Sequence, residues 1–540
     1  MNSSMSRTRP LGRRVSRRRF VQGLALGAAG LAIGPTLGCD SGKTGGTTTP
    51  RGSASPTVSQ PVKGGTLSAV QAADLAPQTA VFTNSPTNYY LVAGVYEKLM
   101  HYRSDRLEAV PDLAESWKFS SDYTSLNVKL RSGVKFHTGR PLTSEDVKWS
   151  VEQIADPKTG SQLLNFGKWV QKMETPDPLT IVFQFDQARP SFLDTFENLF
   201  IADKETYQDT VNGKNFVGTG PFKFKEWVTG DHWTLQRNPD YWRKELPYLD
   251  EVVVRVVPEP QTQLINVQTG TADVANQVDP RDAKSVENDP KYKVITNPVF
   301  GSIWYLGVDV KAPPFTDKRV RQAMAYLLDR KRIVDTLLFY GTPTVLPWDK
   351  ASPAYTPELA DKYDYNLDKC KELLRQAGVG SDVTVPLTVS AAYVPTHGIA
   401  EMIQAELAKL GWKASIDKLQ HPEFLQKLTG GKFGGLWVTT CGFVHMTPST
   451  LFVMSFPYRV PNSSNYDTPE YRKLIDDMLN AGDENELKKI YKSMNELLLD
   501  ECFLIPISGI QSPVVLSAKV QGLAINRSSQ PTLMEAWKAK

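Results

Sequence analysis

Past residue 62 the chain alternates between two hydrophobic rhythms. Residues 66–70 (TLSAV), 126–130 (LNVKL), 180–185 (TIVFQF) and 251–257 (EVVVRVV) are β-branched or alternate apolar with polar positions. A period of two predicts strands. Residues 384–390, 413–419 and 436–440 carry the same signal. Between them, Val320, Ala323, Met324, Leu327 and Leu328 recur at spacings of three and four, as do Ile399, Met402, Ile403, Leu407 and Leu410. That spacing puts each set on one face of a helix, and Gly411 stops the second one. Residues 471–500 hold two more such stripes, broken near Gly482. Strands alternating with helices predict α/β layers. No repeat of 20–50 residues is visible, which removes propellers and solenoids.

Composition narrows this further. The chain has 540 residues, 41% hydrophobic and 22% charged, which is globular and long enough for two to four domains. After residue 40 no apolar run approaches the roughly 20 residues that span a bilayer. The net charge of +4 misleads, because residues 1–38 hold seven Arg and no acid, and the rest of the chain is left at −3. A mildly acidic body argues against a nucleic-acid partner.

The Arg-rich start and the apolar stretch 20–37 have the layout of a cleaved export signal. Ser16-Arg17-Arg18-Arg19-Phe20-Val21 resembles the twin-arginine pattern, with Arg17, Arg18 and Phe20 at its defining positions. Thr36-Leu37-Gly38-Cys39 resembles a bacterial lipobox, with Thr36 where Leu is usual. Lipidation of Cys39 would supply more than one acyl chain, enough for firm anchoring. Residues 40–62 are almost wholly Gly, Ser, Thr, Pro and polar, and read as a flexible tether. The expectation is an exported body from Lys63 onward, held at the outer face of the membrane or free in the periplasm.

Candidate chemistry is sparse. GxSxG, HExxH, GxxxxGK[ST] and GxGxxG are all absent, and the six His are scattered without metal-ligand spacing. Cys370, Cys441 and Cys502 form no CxxC and read as buried thiols, with one disulfide among them left open. Asn526-Arg527-Ser528 fits an N-glycosylation pattern that a bacterial-type leader makes idle. An exported, tethered chain without catalytic motifs reads as a binder, not an enzyme, with no cofactor and no metal.

Several segments together resemble family 5 of the bacterial extracellular solute-binding proteins, which serve ABC importers. They are Lys63-Gly64-Gly65-Thr66-Leu67, the block 111–147 (PDLAESW to LRSGVKFHTGRPLTSEDV), Gly218-Thr219-Gly220-Pro221-Phe222, Arg237-Asn238-Pro239-Asp240-Tyr241-Trp242, and Pro314-Phe315 through Arg319-Val320-Arg321-Gln322-Ala323 to Asp329-Arg330. Physically these motifs read as scaffold. Thr143 or Ser144 can cap a helix that opens with Glu145 and Asp146, and Gly218 and Gly220 permit a tight turn.

The resemblance implies a periplasmic-binding-protein-like α/β fold of two lobes joined by hinge strands. Lobe one would comprise 63–107, 220–304 and 504–540, lobe two 305–503, and an inserted subdomain 108–219. It also implies a monomer that closes on a peptide or peptide-sized solute and docks to permease and ATPase subunits. An oligosaccharide or metal-chelate receptor is the alternative, as is an exported signalling or adhesion lipoprotein.

Cleft residues are expected on loops at the lobe edges. The segments are 83–90 with Asn88, the crossover at Trp304, 391–397 with Tyr393, 341–349 with Trp348, and 436–448 with Trp437, Thr440, Phe443 and His445. In peptide-binding relatives an Asp shortly after a Trp in the last segment pairs with the peptide ammonium. Trp437 matches the Trp, but no acid occurs from Val438 to Phe452, and Thr440 stands where the Asp would be. The resemblance therefore implies a receptor without the usual amine anchor.

Overall fold

The computed structural model describes residues 60–540 apart from 80, 84, 85, 298, 482 and 528. The leader and the tether, with Arg17, Arg18, Phe20 and Cys39, lie outside the described residues. Two mixed sheets carry the body. The first has the strand order Phe222–Val228, His232–Arg237, Glu251–Val256, Thr66–Gln71, Val274–Ala275, Val514–Ser517 and Tyr292–Ile295. The second runs Thr342–Pro343, Leu504–Gly509, Ile303–Val308, Leu436–Cys441, Thr384–Ser390 and Lys413–Leu419. A separate antiparallel sheet, Ala114–Phe119, Ser125–Leu130, Thr180–Phe185 and Val170–Asp177, forms an insert on the first lobe.

Strand Ile303–Val308 pairs with both Leu504–Gly509 and Leu436–Cys441. The chain therefore changes sheets within 296–302 and again within 510–513. This corrects the expected switch points at 304/305 and 503/504, which cut into or exclude strands of the second sheet. The two short connections touch, with the Ile510 N–H donating to the Ser302 carbonyl at 2.8 Å.

Two large apolar cores follow from this topology, beside a smaller cluster around Val70, Leu264, Val267 and Val515 in the first lobe. One is built from the second lobe; the other is shared by the first lobe and its insert. The predicted helices are present as Lys318–Leu327, Val394–Ala408, Pro469–Asn480 and Glu484–Glu501. Capping chemistry starts Lys318–Leu327, where the Asp317 carboxylate accepts the Arg319 N–H at 2.8 Å, and also the helix Ser144–Ala155, where the Asp146 carboxylate accepts the Thr143 N–H at 3.0 Å. Gly218 is needed for close approach rather than for a special turn, because a Cβ there would lie 2.0 Å from the Val95 carbonyl oxygen. Cys370, Cys441 and Cys502 are free buried thiols. Among the described residues no helix is long and apolar enough to cross a membrane.

Sequence landmarks far apart converge on one carboxylate. Glu97 accepts hydrogen bonds from Thr219 Oγ1 at 2.8 Å, Tyr241 Oη at 2.7 Å and Trp242 Nε1 at 2.9 Å. Burial pushes the Glu97 carboxyl up to about 7.

Candidate functional site at the junction of the lobes

The strand register decides which side chains can face a common site. Trp304 lies opposite Thr440, Tyr305 opposite Thr439, and Gly307 opposite Trp437. Successive strand residues point to opposite faces, so Trp304 and Thr440 share a face and Trp437 occupies the other. Trp437 is fully buried and stacked on Phe433 with ring centroids 4.2 Å apart. Its ring fills the space of the missing Gly307 side chain, where a Cβ would lie 2.0 Å away.

Four expected site residues have their partners inside one lobe. Trp437 belongs to the second-lobe core. Trp348 is buried there too, its indole N–H donating to Asn495 Oδ1 at 2.7 Å. Asn88 is fully buried and makes both its amide hydrogen bonds to the Ala76 backbone, at 3.1 Å each. Tyr393 packs edge-on against His421 at 5.3 Å, also within the second lobe. Trp304 is buried in the second-lobe core as well, and Thr440 on the same face is half-buried just before the loop that follows.

That loop, 442–447, leaves the second lobe and meets the first. Phe443 adopts φ +68° and packs against both cores. His445 is buried, its Nδ1 3.2 Å from the Gly301 carbonyl in the crossover, and burial pulls its imidazole down to about 4. It is therefore neutral at pH 7.

The contact that joins the lobes centres on a residue the sequence reading missed. Asp194, in the short insert helix Leu193–Asn198, is fully buried. Its carboxylate accepts the Thr447 N–H at 3.1 Å, Thr447 Oγ1 at 3.0 Å, Thr450 Oγ1, and Tyr102 Oη at 2.7 Å. Three of these donors come from the second lobe. Hydrogen bonds to a charged group contribute ~1.5–3 kcal/mol each, and burying a carboxylate costs several kcal/mol. Burial pushes the Asp194 carboxyl up to about 6, so desolvation offsets part of that gain.

Arg527 was also missed. It comes from the first-lobe tail and is buried against the same loop, with Nε and Nη2 donating to the His445 carbonyl at 3.1 and 2.8 Å. A second contact closes the other rim. There Tyr340 Oη meets Glu287 at 3.4 Å, and the Arg281 guanidinium lies over the Phe339 ring at 5.6 Å.

Comparisons with known proteins agree with this architecture. Residues 108–459 match the profile of bacterial extracellular solute-binding proteins, family 5. The chain is 26% identical over 467 residues to heme-binding protein A of Haemophilus influenzae, covering 79% of this chain and 84% of that protein. It is 26% identical over 413 residues to the glutathione-binding protein GsiB of Escherichia coli K12, covering 73% and 79%. The solved structure of HbpA2 from Haemophilus parasuis superposes with a TM-score of 0.77 at 24% identity, covering 88% of this chain and 100% of that one.

Proposed function

This chain belongs to family 5 of the bacterial extracellular solute-binding proteins, and from that premise we propose that it is the receptor of an ABC importer. It captures a peptide or peptide-sized solute at the lobe junction and delivers it to the permease and ATPase subunits by hinge closure. The observation that carries this reading is the Asp194 contact: polar, partly offset by desolvation, and made between lobes linked by two short connections. A ligand touching both lobes selects the closed state by its differential affinity. The Trp304–Thr440 face, Phe443 and His445 are the lobe-two side of the site, where aromatic surface and a few polar groups suit a solute of mixed character.

The leader fits the same role. Export would use Arg17, Arg18 and Phe20, and Cys39 would carry the acyl anchor of a monomeric lipoprotein. A C39A variant released into the medium, with wild type retained on cells, tests the anchor. The function itself is tested by native mass spectrometry on protein captured from cells without refolding, together with uptake by a deletion strain. A co-purified solute whose uptake fails in the deletion is the expected result. An empty protein and unchanged uptake of peptides, heme and glutathione would sink the reading.

A further inference from the structure

Besides the buried Lys98–Glu197 pair, the junction holds two buried charges that it treats unequally, Asp194 and Arg527. A carboxylate has about four acceptor sites, and those of Asp194 are filled by four protein donors. An ammonium on a solute would have to displace them. The loop 442–447 offers no other acid, and none occurs from Val438 to Phe452.

Arg527 is the opposite case. Its side chain is among the largest that are fully buried. Nε and Nη2 share one acceptor, the His445 carbonyl, and Nη1 has no protein acceptor. No carboxylate lies within ion-pair distance of it among the described residues, although Glu197 and Asp349 act on it from farther away. Arg330, the other buried arginine with an unpartnered nitrogen, is wrapped inside the second lobe by four backbone carbonyls. Arg527 instead stands where tail, crossover and loop meet, its own carbonyl accepting from Asn297 Nδ2 at 3.1 Å. A guanidinium cannot shed its proton to escape burial, and one left without an anion costs several kcal/mol.

We infer that Arg527 receives an oxyanion of the captured solute, so that this receptor selects solutes by an acidic rather than a basic end. The inference rests on the reading of the junction as the solute site. A carboxylate and a phosphate present the same oxygens to Nη1, so the test separates them. Two matched pairs serve as probes: N-acetyl-alanyl-alanine against its C-terminal amide, and glucose 6-phosphate against glucose.

Intrinsic tryptophan fluorescence titrations are run on wild type, R527Q and R527K. In wild type the acid member of at least one pair binds tenfold or more tightly than its neutral partner. R527Q brings that ratio to about one, and R527K keeps part of it. The peptide pair winning assigns a carboxylate, and the sugar pair a phosphate. A neutral partner binding as well as its acid in both pairs overturns the inference, as does a ratio that survives in R527Q. Native mass spectrometry of wild type and R527Q captured from cells separates the two layers. An adduct held equally by both overturns the role of Arg527 and leaves the receptor reading intact. An empty wild type tells against the receptor reading itself.

Discussion

Glu97 and Asp194 are the same device put to two uses. Each is a carboxylate that accepts three or four neutral donors, Asp194 fully buried and Glu97 half-buried, and neither forms a salt bridge among the described residues. All the partners of Glu97 lie in the first lobe and its insert: Thr219, Tyr241 and Trp242. Three of the four donors to Asp194 come from the second lobe, so that network exists only while the lobes touch. Identical local chemistry thus holds a lobe together in one place and sets an equilibrium between lobes in the other. What separates them is where the chain has put the donors.

Breaking the first carboxylate has the largest expected effect. E97A leaves three donors without their acceptor, two of them on the buried residues Thr219 and Tyr241. At ~1–3 kcal/mol per stranded group, the loss is ~4 kcal/mol in urea denaturation at pH 7. Solution scattering of the folded protein should be unchanged. D194A comes next, with ~2–3 kcal/mol removed from the closed state, read as a larger radius of gyration in the ligand-free protein and weaker solute binding. A D194A protein with wild-type scattering and affinity would make the two carboxylates equivalent scaffold.

The contrast also marks what the sequence could carry. Strands with a clean alternation, such as Thr180–Phe185, and helices with a clear stripe, such as Lys318–Leu327, were legible because one face of each meets a core. The Glu97 partners were legible as motifs, though their convergence was not. The resemblance puts Trp437 at the site because it matches the Trp of peptide-binding relatives, but its strand is covered on both faces, and a continuous apolar run does not say which side faces the site. Asp194 left no local signal, since its threonine donors lie more than 250 residues away. Arg527 sat in a turn-like tripeptide that read as an idle modification pattern. Side chains whose role is set by long-range pairing have no period to betray them.

A smaller pair of substitutions sharpens the comparison. T219V and T450V each remove one hydroxyl donor while keeping the side-chain volume. Both should cost ~1 kcal/mol of folding stability. Only T450V should also weaken solute binding, by about fivefold, because only its acceptor lies across the junction. Equal effects on binding would show that closure does not draw on the Asp194 contact.

The finest test is pH, because burial moves two junction groups in opposite senses. His445 is pulled down from its ordinary value of 6.5 to about 4, so the closed state holds it neutral. Its contribution is fully present above 6.5 and is lost as pH falls toward 4. Asp194 is pushed up from 3.8 to about 6, so the closed state favours its protonated form. That contribution is present below 3.8 and is lost as pH rises toward 6. Between pH 4 and 6 the two slopes oppose, and wild type should show a nearly flat closed fraction. D194N leaves the His445 slope alone, and closure should weaken by ~1–2 kcal/mol as pH falls through that window. H445Q leaves the Asp194 slope alone, and closure should strengthen by a similar amount over the same fall. Lys98, Glu197 and Arg527 surround the imidazole in both variants and cancel from the difference. Parallel slopes in D194N and H445Q would mean that a group outside the junction governs closure, and the asymmetry between Glu97 and Asp194 would lose its functional meaning.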